Sequence, residues 1–248
     1  MSAFAAFTKR TITALGFTGT SNSSKPYDKI LTHQRVTRPG SFEYVTIVNH
    51  NPTTPTKHTI YALQGRERGL DARGVGQWEE LAVKYNVHVV LHNYPGYGGD
   101  YVAKPRVKCD EVTLKEDCVE LLEVLKAEPW FKGTEVIVLG NSIGTGPAMW
   151  MASENSHSNL GISKLVLISA YTNLGDFLFR PIALLLRRFF PIADIEPFPT
   201  LHLASQLRDI HVLTVHGDQD TTIPFSHFEA INNALEANTN ISVYAPDC

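Results

Sequence analysis

Little in the composition points to disulfide, zinc or nucleic-acid chemistry. Three cysteines in 248 residues are too few for a disulfide framework, and none is paired with cysteine or histidine at zinc spacing. The formal net charge is −3, so no basic field favours nucleic acid as a partner. No apolar run is long enough to cross a bilayer. These absences predict a globular protein of a reducing compartment, cytoplasmic by default, with no metal and no nucleic-acid partner.

Acidic side chains are absent from residues 1–27, which contain Lys9, Arg10 and Lys25 among many serines and threonines. Apolar residues there fall roughly on one helical face: Phe4, Phe7, Ile12 and Leu15. This pattern fits a weak mitochondrial-type transit peptide, an amphipathic segment lying on a surface, or a weakly ordered tail, which we favour. We therefore assign residues 1–40 to an N-terminal extension and residues 41–248 to one folded domain.

From residue 41 onward, apolar runs alternate with segments of helical spacing. The runs "VHVVLHN", "EVIVLG", "KLVLISAY" and "HVLTVHG" are continuous, which is typical of parallel strands buried on both faces. Between them lie helical patterns such as "CDEVTLKEDCVELLEVLKAE". The alternation predicts an α/β fold with a doubly wound, mostly parallel sheet, whose ligand chemistry lies at the carboxyl ends of the strands. An insertion at about 172–199 interrupts the pattern.

The seam between one strand and its helix has the sequence Gly140-Asn141-Ser142-Ile143-Gly144. A corner between a strand and a helix passes through a strained conformation, and small flanking residues let the two elements approach. The serine then stands at the end of the strand, beside a helix N-terminus that favours negative charge. A simple glycine-rich turn is the alternative. We expect Ser142 to be a nucleophile and the amide of Ile143 to stabilise an oxyanion.

A serine nucleophile needs a base, and the base needs a carboxylate to orient it. The segment "VLTVHGDQDTTIP" ends a buried strand and places Asp220 in the following turn, at the predicted carboxyl edge. Asp218 is close by, but the spacing from Gly217 favours Asp220. An aspartate in a turn can also be purely structural. We predict that Asp220 is the acid.

Three segments, "GNSIGTGPA", "NYPGYGG" and "HGDQDTTIPFSH", together resemble the α/β-hydrolase fold. More narrowly, they look like the α/β-hydrolase domain-containing serine hydrolases that remove palmitate from proteins, and their lysophospholipase-like relatives. The resemblance covers roughly residues 59–245. It implies a hydrolase of acyl esters or thioesters that uses no metal or organic cofactor. In this family Ser142 matches the nucleophile, Asp220 the acid and Ile143 one oxyanion amide.

This sequence departs from the family pattern at the catalytic base. In the family, the base follows the last strand. Here the last predicted strand is "ISVYA", and only His227 follows Asp220. His227 occupies a position that the family fills with histidine without using it as the base, His216 is expected to pack, and His92 is the other substitute. We therefore expect a truncated hydrolase that lacks the catalytic-histidine loop and the closing helix. Such a chain has little or no activity as it stands.

The loop after "IYALQ" also differs from the family, which has a short stretch there that supplies the second oxyanion amide. Gly65 keeps the turn, so the amide of Arg66 is the predicted second donor. The loop carries three arginines, Arg66, Arg68 and Arg73. They could hold a phosphate or carboxylate on the substrate, or they could be solvated surface charges.

The insertion at 172–199 is rich in Phe, Leu and Ile and contains Arg180, Arg187 and Arg188. This composition suits a lid over an acyl site or a patch on an anionic membrane, and equally a cap helix that only packs on the domain. The candidates for substrate contact are Phe177, Leu178 and Leu185. Two functions remain open: a serine hydrolase of an acyl ester or thioester, and an inactive scaffold that binds an acyl ligand or a protein partner.

Overall fold

The computed structural model describes residues 32–37, 43–50, 54–65, 70, 72–94, 110–175 and 197–244. Its strands are β1 (Thr32–Thr37), β2 (Glu43–Val48), β3 (His58–Leu63), β4 (His88–Asn93), β5 (Glu135–Asn141), β6 (Ile162–Ile168), β7 (Ile210–Val215) and β8 (Ile241–Tyr244). Its helices are α1 (Ala72–Tyr85), α2 (Glu111–Ala127), α3 (Thr145–Ser158), α4 (Thr200–Gln206) and α5 (Phe225–Glu236). A 3₁₀ turn, Ser142–Gly144, precedes α3.

The eight strands form one sheet in the order β1-β2-β4-β3-β5-β6-β7-β8. β2 runs antiparallel to β1 and β4, and all pairs from β4 to β8 are parallel. The predicted doubly wound, mostly parallel sheet is therefore confirmed. The chain reverses its winding direction between β3 and β5, and the carboxyl ends of β3, β5, β6 and β7 meet at one edge. Ligand sites of open α/β sheets lie at such an edge.

β1 was not predicted, and it lies inside residues 1–40, the range assigned to the N-terminal extension. Its sequence THQRVT carries a single aliphatic residue, Val36, so periodicity gives no strand signal. The strand exists because it pairs with β2 along its whole length, from Thr32 opposite Val48 to Thr37 opposite Glu43. Tertiary pairing overrides the weak local pattern here.

Each face of the sheet carries its own core. The larger core joins strand residues such as Val138 and Leu165 to Leu121 of α2, Met149 of α3 and Leu235 of α5. The smaller core places α1 against β2, β3 and β4: it comprises Val45, Ile47, Ala62, Leu70, Val75, Ala82, Val87, Val89 and Leu91. Helices thus cover both faces, as the continuous apolar strands predicted.

One carboxylate of α2 is buried beside the larger core. Asp117 is 3% exposed, and its Oδ2 has no hydrogen-bond partner among the described residues. Burial, together with the nearby charge of Glu116, raises the pKa of Asp117 from 3.8 to about 7. The folded protein therefore holds this proton more tightly than the unfolded chain does.

We expect the free energy of unfolding to fall as pH rises from about 4 to about 7, because the unfolded chain loses the Asp117 proton first. Asp117→Asn removes the titrating carboxyl and with it this pH dependence. As pH rises through the same window, the free energy of unfolding of the variant should increase relative to that of the wild type, by roughly 2–4 kcal/mol near pH 7. Urea unfolding at several pH values measures this difference in the free energy of unfolding. Asp218→Asn is the control, because the Asp218 side chain is exposed. Parallel curves for Asp117→Asn and the wild type would contradict the assignment.

Candidate active site

Ser142 stands where β5 turns into the 3₁₀ turn and then into α3. Its φ of 53° lies in the left-handed region, which residues other than glycine, asparagine and aspartate adopt rarely. The backbone amide and the hydroxyl of Thr145 both donate to the Ser142 carbonyl, and the hydroxyl does so at 2.7 Å. These bonds fix the corner and leave the Ser142 side chain half-buried at the carboxyl edge. The predicted seam is therefore a strained turn rather than a loose glycine-rich loop.

The glycines on either side of Ser142 allow this turn because the backbone has no room for a side chain there. A Cβ added at Gly140 would lie 2.6 Å from the Thr145 Cα and 2.7 Å from the Ala148 Cβ. A Cβ at Gly144 would overlap the Leu63 carbonyl group and lie 2.7 Å from the Tyr94 hydroxyl. Contacts this short with backbone cannot relax by a side-chain rotation.

Gly144→Ala is therefore expected to destabilise the protein by about 3 kcal/mol or more, because β3 and the start of α3 must separate. Gly217→Ala is the matched control, since an added Cβ there meets nothing within 4 Å. It should change the free energy of unfolding by no more than about 0.5 kcal/mol. Chemical denaturation measures both variants, and equal losses would show that packing at the seam is not the limiting contact.

Ile143, one predicted oxyanion donor, and Gly65, which precedes the other, both lie beside Ser142. Ile143 follows Ser142 in the 3₁₀ turn, so its amide belongs to the first turn of the helical segment. The residue is 6% exposed. Gly65 lies directly against the serine: a Cβ built on it would be 3.5 Å from the Ser142 Cβ. The Tyr94 hydroxyl donates to the Gln64 carbonyl at 2.7 Å and holds the end of β3 in place. Arg66, the predicted second donor, lies outside the described residues.

Asp220 occupies the turn after β7, as predicted. Its Oδ1 accepts hydrogen bonds from the amides of Thr222 at 2.8 Å and Ile223 at 2.9 Å. Burial by itself opposes ionisation, but these two amides, the hydroxyl of Ser169 and the nearby His216 outweigh it and lower the pKa of Asp220. The carboxylate is therefore ionised at neutral pH and held in one orientation.

Ser142 and Asp220 lie at the same edge of the sheet. Asn141 of β5 pairs with Ile168 of β6, and Ile168 pairs with Val215 of β7. The two functional candidates thus follow strands that are separated only by β6, which puts the strand axes about 10 Å apart. An imidazole placed between them is the group that would complete a serine–base–acid arrangement.

Three of the ten histidines lie near this edge. Each has a ring nitrogen bonded to a group other than Ser142 and Asp220, although the His216 Nε2 also lies 3.8 Å from the Asp220 Oδ2. Nδ1 of His92 bonds the Tyr61 hydroxyl at 2.9 Å, and burial lowers the pKa of His92 to about 3. Nδ1 of His227 accepts from the Thr172 amide at 3.1 Å. Nε2 of His216 bonds the Ile223 carbonyl at 2.8 Å, and this side chain is fully buried. These bonds hold His92 and His227, the two predicted substitutes, as structural residues.

The other seven histidines lie away from these strand ends. Four lie at or near the start of a strand, one follows β2, and two lie on helices α3 and α4: His33, His58, His88, His211, His50, His157 and His202. Strands β3, β4 and β7 begin with or near His58, His88 and His211, so these rings start at the amino ends. Parallel strands hold their amino ends a strand length away from the carboxyl edge. Whether a histidine of this chain can act as the base stays a prediction.

The root of the predicted cap is closed by hydrogen bonds. The Thr200 hydroxyl, where α4 begins, donates to the carbonyls of Tyr171 at 2.6 Å and Thr172 at 3.0 Å. The two ends of the insertion therefore leave the domain side by side. Residues 176–196 lie outside the described residues, and with them Phe177, Leu178 and Leu185, so the proposed lid contacts stay predictions.

Sequence reasoning missed the Thr200 contacts at the cap root. Thr200 belongs to no motif, and a threonine where a helix begins is too common to signal these particular bonds.

No protein-family model matches the chain. Protein bem46 of Schizosaccharomyces pombe is 28% identical over 146 residues, which are 56% of this chain and 44% of the yeast protein. The alpha/beta hydrolase domain-containing protein aho-3 of Caenorhabditis elegans is 28% identical over 151 residues, 59% of this chain and 39% of the worm protein. The matched segments thus span less than half the length of these curated relatives.

An esterase from Pyrococcus furiosus has a similar structure, with a TM-score of 0.63 at 15% identity over 93% of this chain and 88% of the esterase. Together with the strand order and the seam at Ser142, this likeness shows that the chain has the α/β-hydrolase fold. No helix among the described residues has the length and apolar character of a membrane span.

Proposed function

We propose that this protein is a serine hydrolase that cleaves an acyl ester or thioester, with Ser142 as the nucleophile and Asp220 as the acid. The observation that carries the proposal is the left-handed turn at Ser142, packed on glycines, at the sheet edge that also holds the ionised Asp220. Strain of this kind is retained where it positions a functional group. The relatives named above are consistent with hydrolase chemistry.

The chemistry follows from the residues at the seam. The Ser142 Oγ attacks the acyl carbon while its proton passes to a base, and the carbonyl oxygen becomes an oxyanion. The amide of Ile143, with that of Arg66 as the second donor, stabilises this charge. Expulsion of the alcohol or thiol, protonated by the base, leaves an acyl-serine. Water, deprotonated by the same base, hydrolyses the acyl-serine and regenerates Ser142.

The base is an imidazole that the described contacts do not supply. His92, His216 and His227 all use a ring nitrogen for Tyr61, Ile223 or Thr172. The position between Asp220 and Ser142 is where the base would act.

A lipid-like substrate, including an acylated protein, is the class that we favour. The insertion rooted at Thr172 and Thr200 is rich in apolar residues, and caps of this kind shield acyl chains from water. Its arginines suit a substrate presented at an anionic membrane surface. The palmitoyl-protein thioesterase and lysophospholipase subgroups both belong to this class. The cytoplasm is the proposed location.

Chemical rescue tests the nucleophile and the absent base together. We expect a fluorophosphonate probe to label this chain slowly, and added imidazole to accelerate labelling on the order of 10²-fold, because it supplies the proton acceptor. Mass spectrometry should place the adduct on Ser142. Ser142→Ala should abolish labelling, whereas Ser205→Ala, which removes an exposed hydroxyl on α4, should not change it.

Two results would overturn parts of this proposal. Fast labelling of Ser142 without imidazole would show that a base is present in these 248 residues. Absence of labelling under all conditions, in protein that remains folded by circular dichroism, would remove Ser142 as the nucleophile.

The alternative is an inactive scaffold that binds an acyl ligand or a protein partner. The bonded state of the three histidines near the site favours it. A long-chain acyl amide that raises the melting temperature of the chain, combined with an unreactive Ser142, would support the scaffold over the enzyme.

A further inference from the structure

A buried histidine joins three parts of the molecule at the carboxyl edge of the sheet. His216 directly follows β7 and is 1% exposed. Its ring packs on the first turn of α5, with ring centroids 6.0 Å from Phe225 and 5.7 Å from Phe228. The third part is the turn that carries Asp220, because the His216 Nε2 lies 2.8 Å from the Ile223 carbonyl oxygen.

The two nitrogens of the His216 ring have different surroundings. A carbonyl oxygen only accepts hydrogen bonds, so Nε2 carries the proton in the bond to Ile223. Nδ1 is buried and has no hydrogen-bond partner among the described residues. A buried polar atom without a partner destabilises the folded state, and an apolar side chain would provide the packing without that loss. The Nε2–H bond is therefore what distinguishes histidine from an apolar residue at this position.

Ile223 links the His216 ring to the acid. Its carbonyl accepts from His216, and its amide donates to the Asp220 Oδ1 at 2.9 Å. At the start of the turn, the Asp220 amide donates to the Gly217 carbonyl at 3.1 Å. His216 itself directly follows Val215, the last residue of β7 that is paired with β6. The His216 ring thus ties the far end of the acid turn back to the end of the sheet.

The carboxylate of Asp220 lies close to the same ring. Its Oδ1 accepts the amides of Thr222 and Ile223, whereas its Oδ2 lies 3.8 Å from the His216 Nε2, which is longer than a hydrogen bond. The ring therefore acts on Asp220 mainly through Ile223. Amide donors within one turn fix the carboxylate relative to that turn, and the bond from His216 fixes the turn relative to β7.

We propose that His216 is a positioning residue for the acid: its Nε2–H group, through the Ile223 carbonyl, fixes the turn in which the Ile223 amide bonds the Asp220 carboxylate. The inference rests on the proposed function for its catalytic meaning, whereas the fixed turn does not depend on that function. A carboxylate that orients a base must keep one direction relative to the nucleophile.

Two variants separate the hydrogen bond of His216 from its packing. His216→Phe keeps a ring against the phenylalanines of α5 and removes the donor. His216→Gln loses the ring but keeps a donor, because the glutamine amide nitrogen is as many bonds from Cα as the imidazole Nε2. His216→Leu replaces His216→Phe if the larger ring prevents folding. His211→Gln is the matched control, since His211 is exposed near the start of the same strand.

The first readout is the pH titration of the Ile223 amide proton by NMR, which reports the ionisation of the carboxylate that it bonds. In His216→Phe we expect a smaller titration shift with its midpoint at higher pH, because a donor that is no longer held in place stabilises the carboxylate less. His216→Gln should restore both quantities toward the wild type, and His211→Gln should leave them unchanged.

Two NMR results would overturn the proposal. One is a wild-type titration of the Ile223 amide in both His216→Phe and His216→Leu. The other is an equal change in His216→Phe and His216→Gln, which would show that the ring acts by packing alone.

The second readout is the imidazole-assisted rate of Ser142 labelling. We expect His216→Phe to lower this rate about tenfold, with no further loss when Asp220→Asn is added, because both changes act through one carboxylate. Full additivity of the two losses would contradict the proposal. Absence of labelling in the wild type would defeat the proposed function, whereas the NMR titration would still decide whether His216 fixes the acid turn.

Discussion

The close approach of α3 to the end of β3 is the constraint on which the rest of the site depends. Gly144 lies so near the Leu63 carbonyl that no side chain fits, and Ser142, two residues earlier, adopts a left-handed conformation. Gly65, in the turn after β3, lies against the same serine. The position of the proposed nucleophile and that of the turn proposed to supply an oxyanion donor therefore both depend on the packing of two backbones.

A second constraint, the pairing of β6 with β7, sets the acid. The last residue pair of these strands is Ile168 with Val215, the Ser169 amide adds one bond to the Val215 carbonyl, and Asp220 lies in the turn that follows β7. Hydrogen bonds from the amides of Thr222 and Ile223 help to lower the pKa of that carboxyl although it is partly buried. The proposed base would act between Asp220 and Ser142, whereas His92, His216 and His227 use a ring nitrogen for Tyr61, Ile223 and Thr172.

The cap root shows how the fold links the site to its surroundings. Thr172 bonds His227 of α5 and accepts from Thr200, so the segment after β6, the start of α4 and the helix after the acid turn are joined. His227 is thereby explained as a structural residue, in the role that its position at the start of the helix suggested.

The sequence by itself determined the strands β4 to β8, the helix α2, the seam at Ser142 and the turn at Asp220. Each of these is encoded locally, by apolar periodicity or by glycine spacing within a few residues. Only the tertiary structure decided the pairing that makes β1 a strand and the partners of His92 and His227. These contacts join residues between 6 and 55 positions apart along the chain. They follow from strand order and helix packing, which no local pattern specifies.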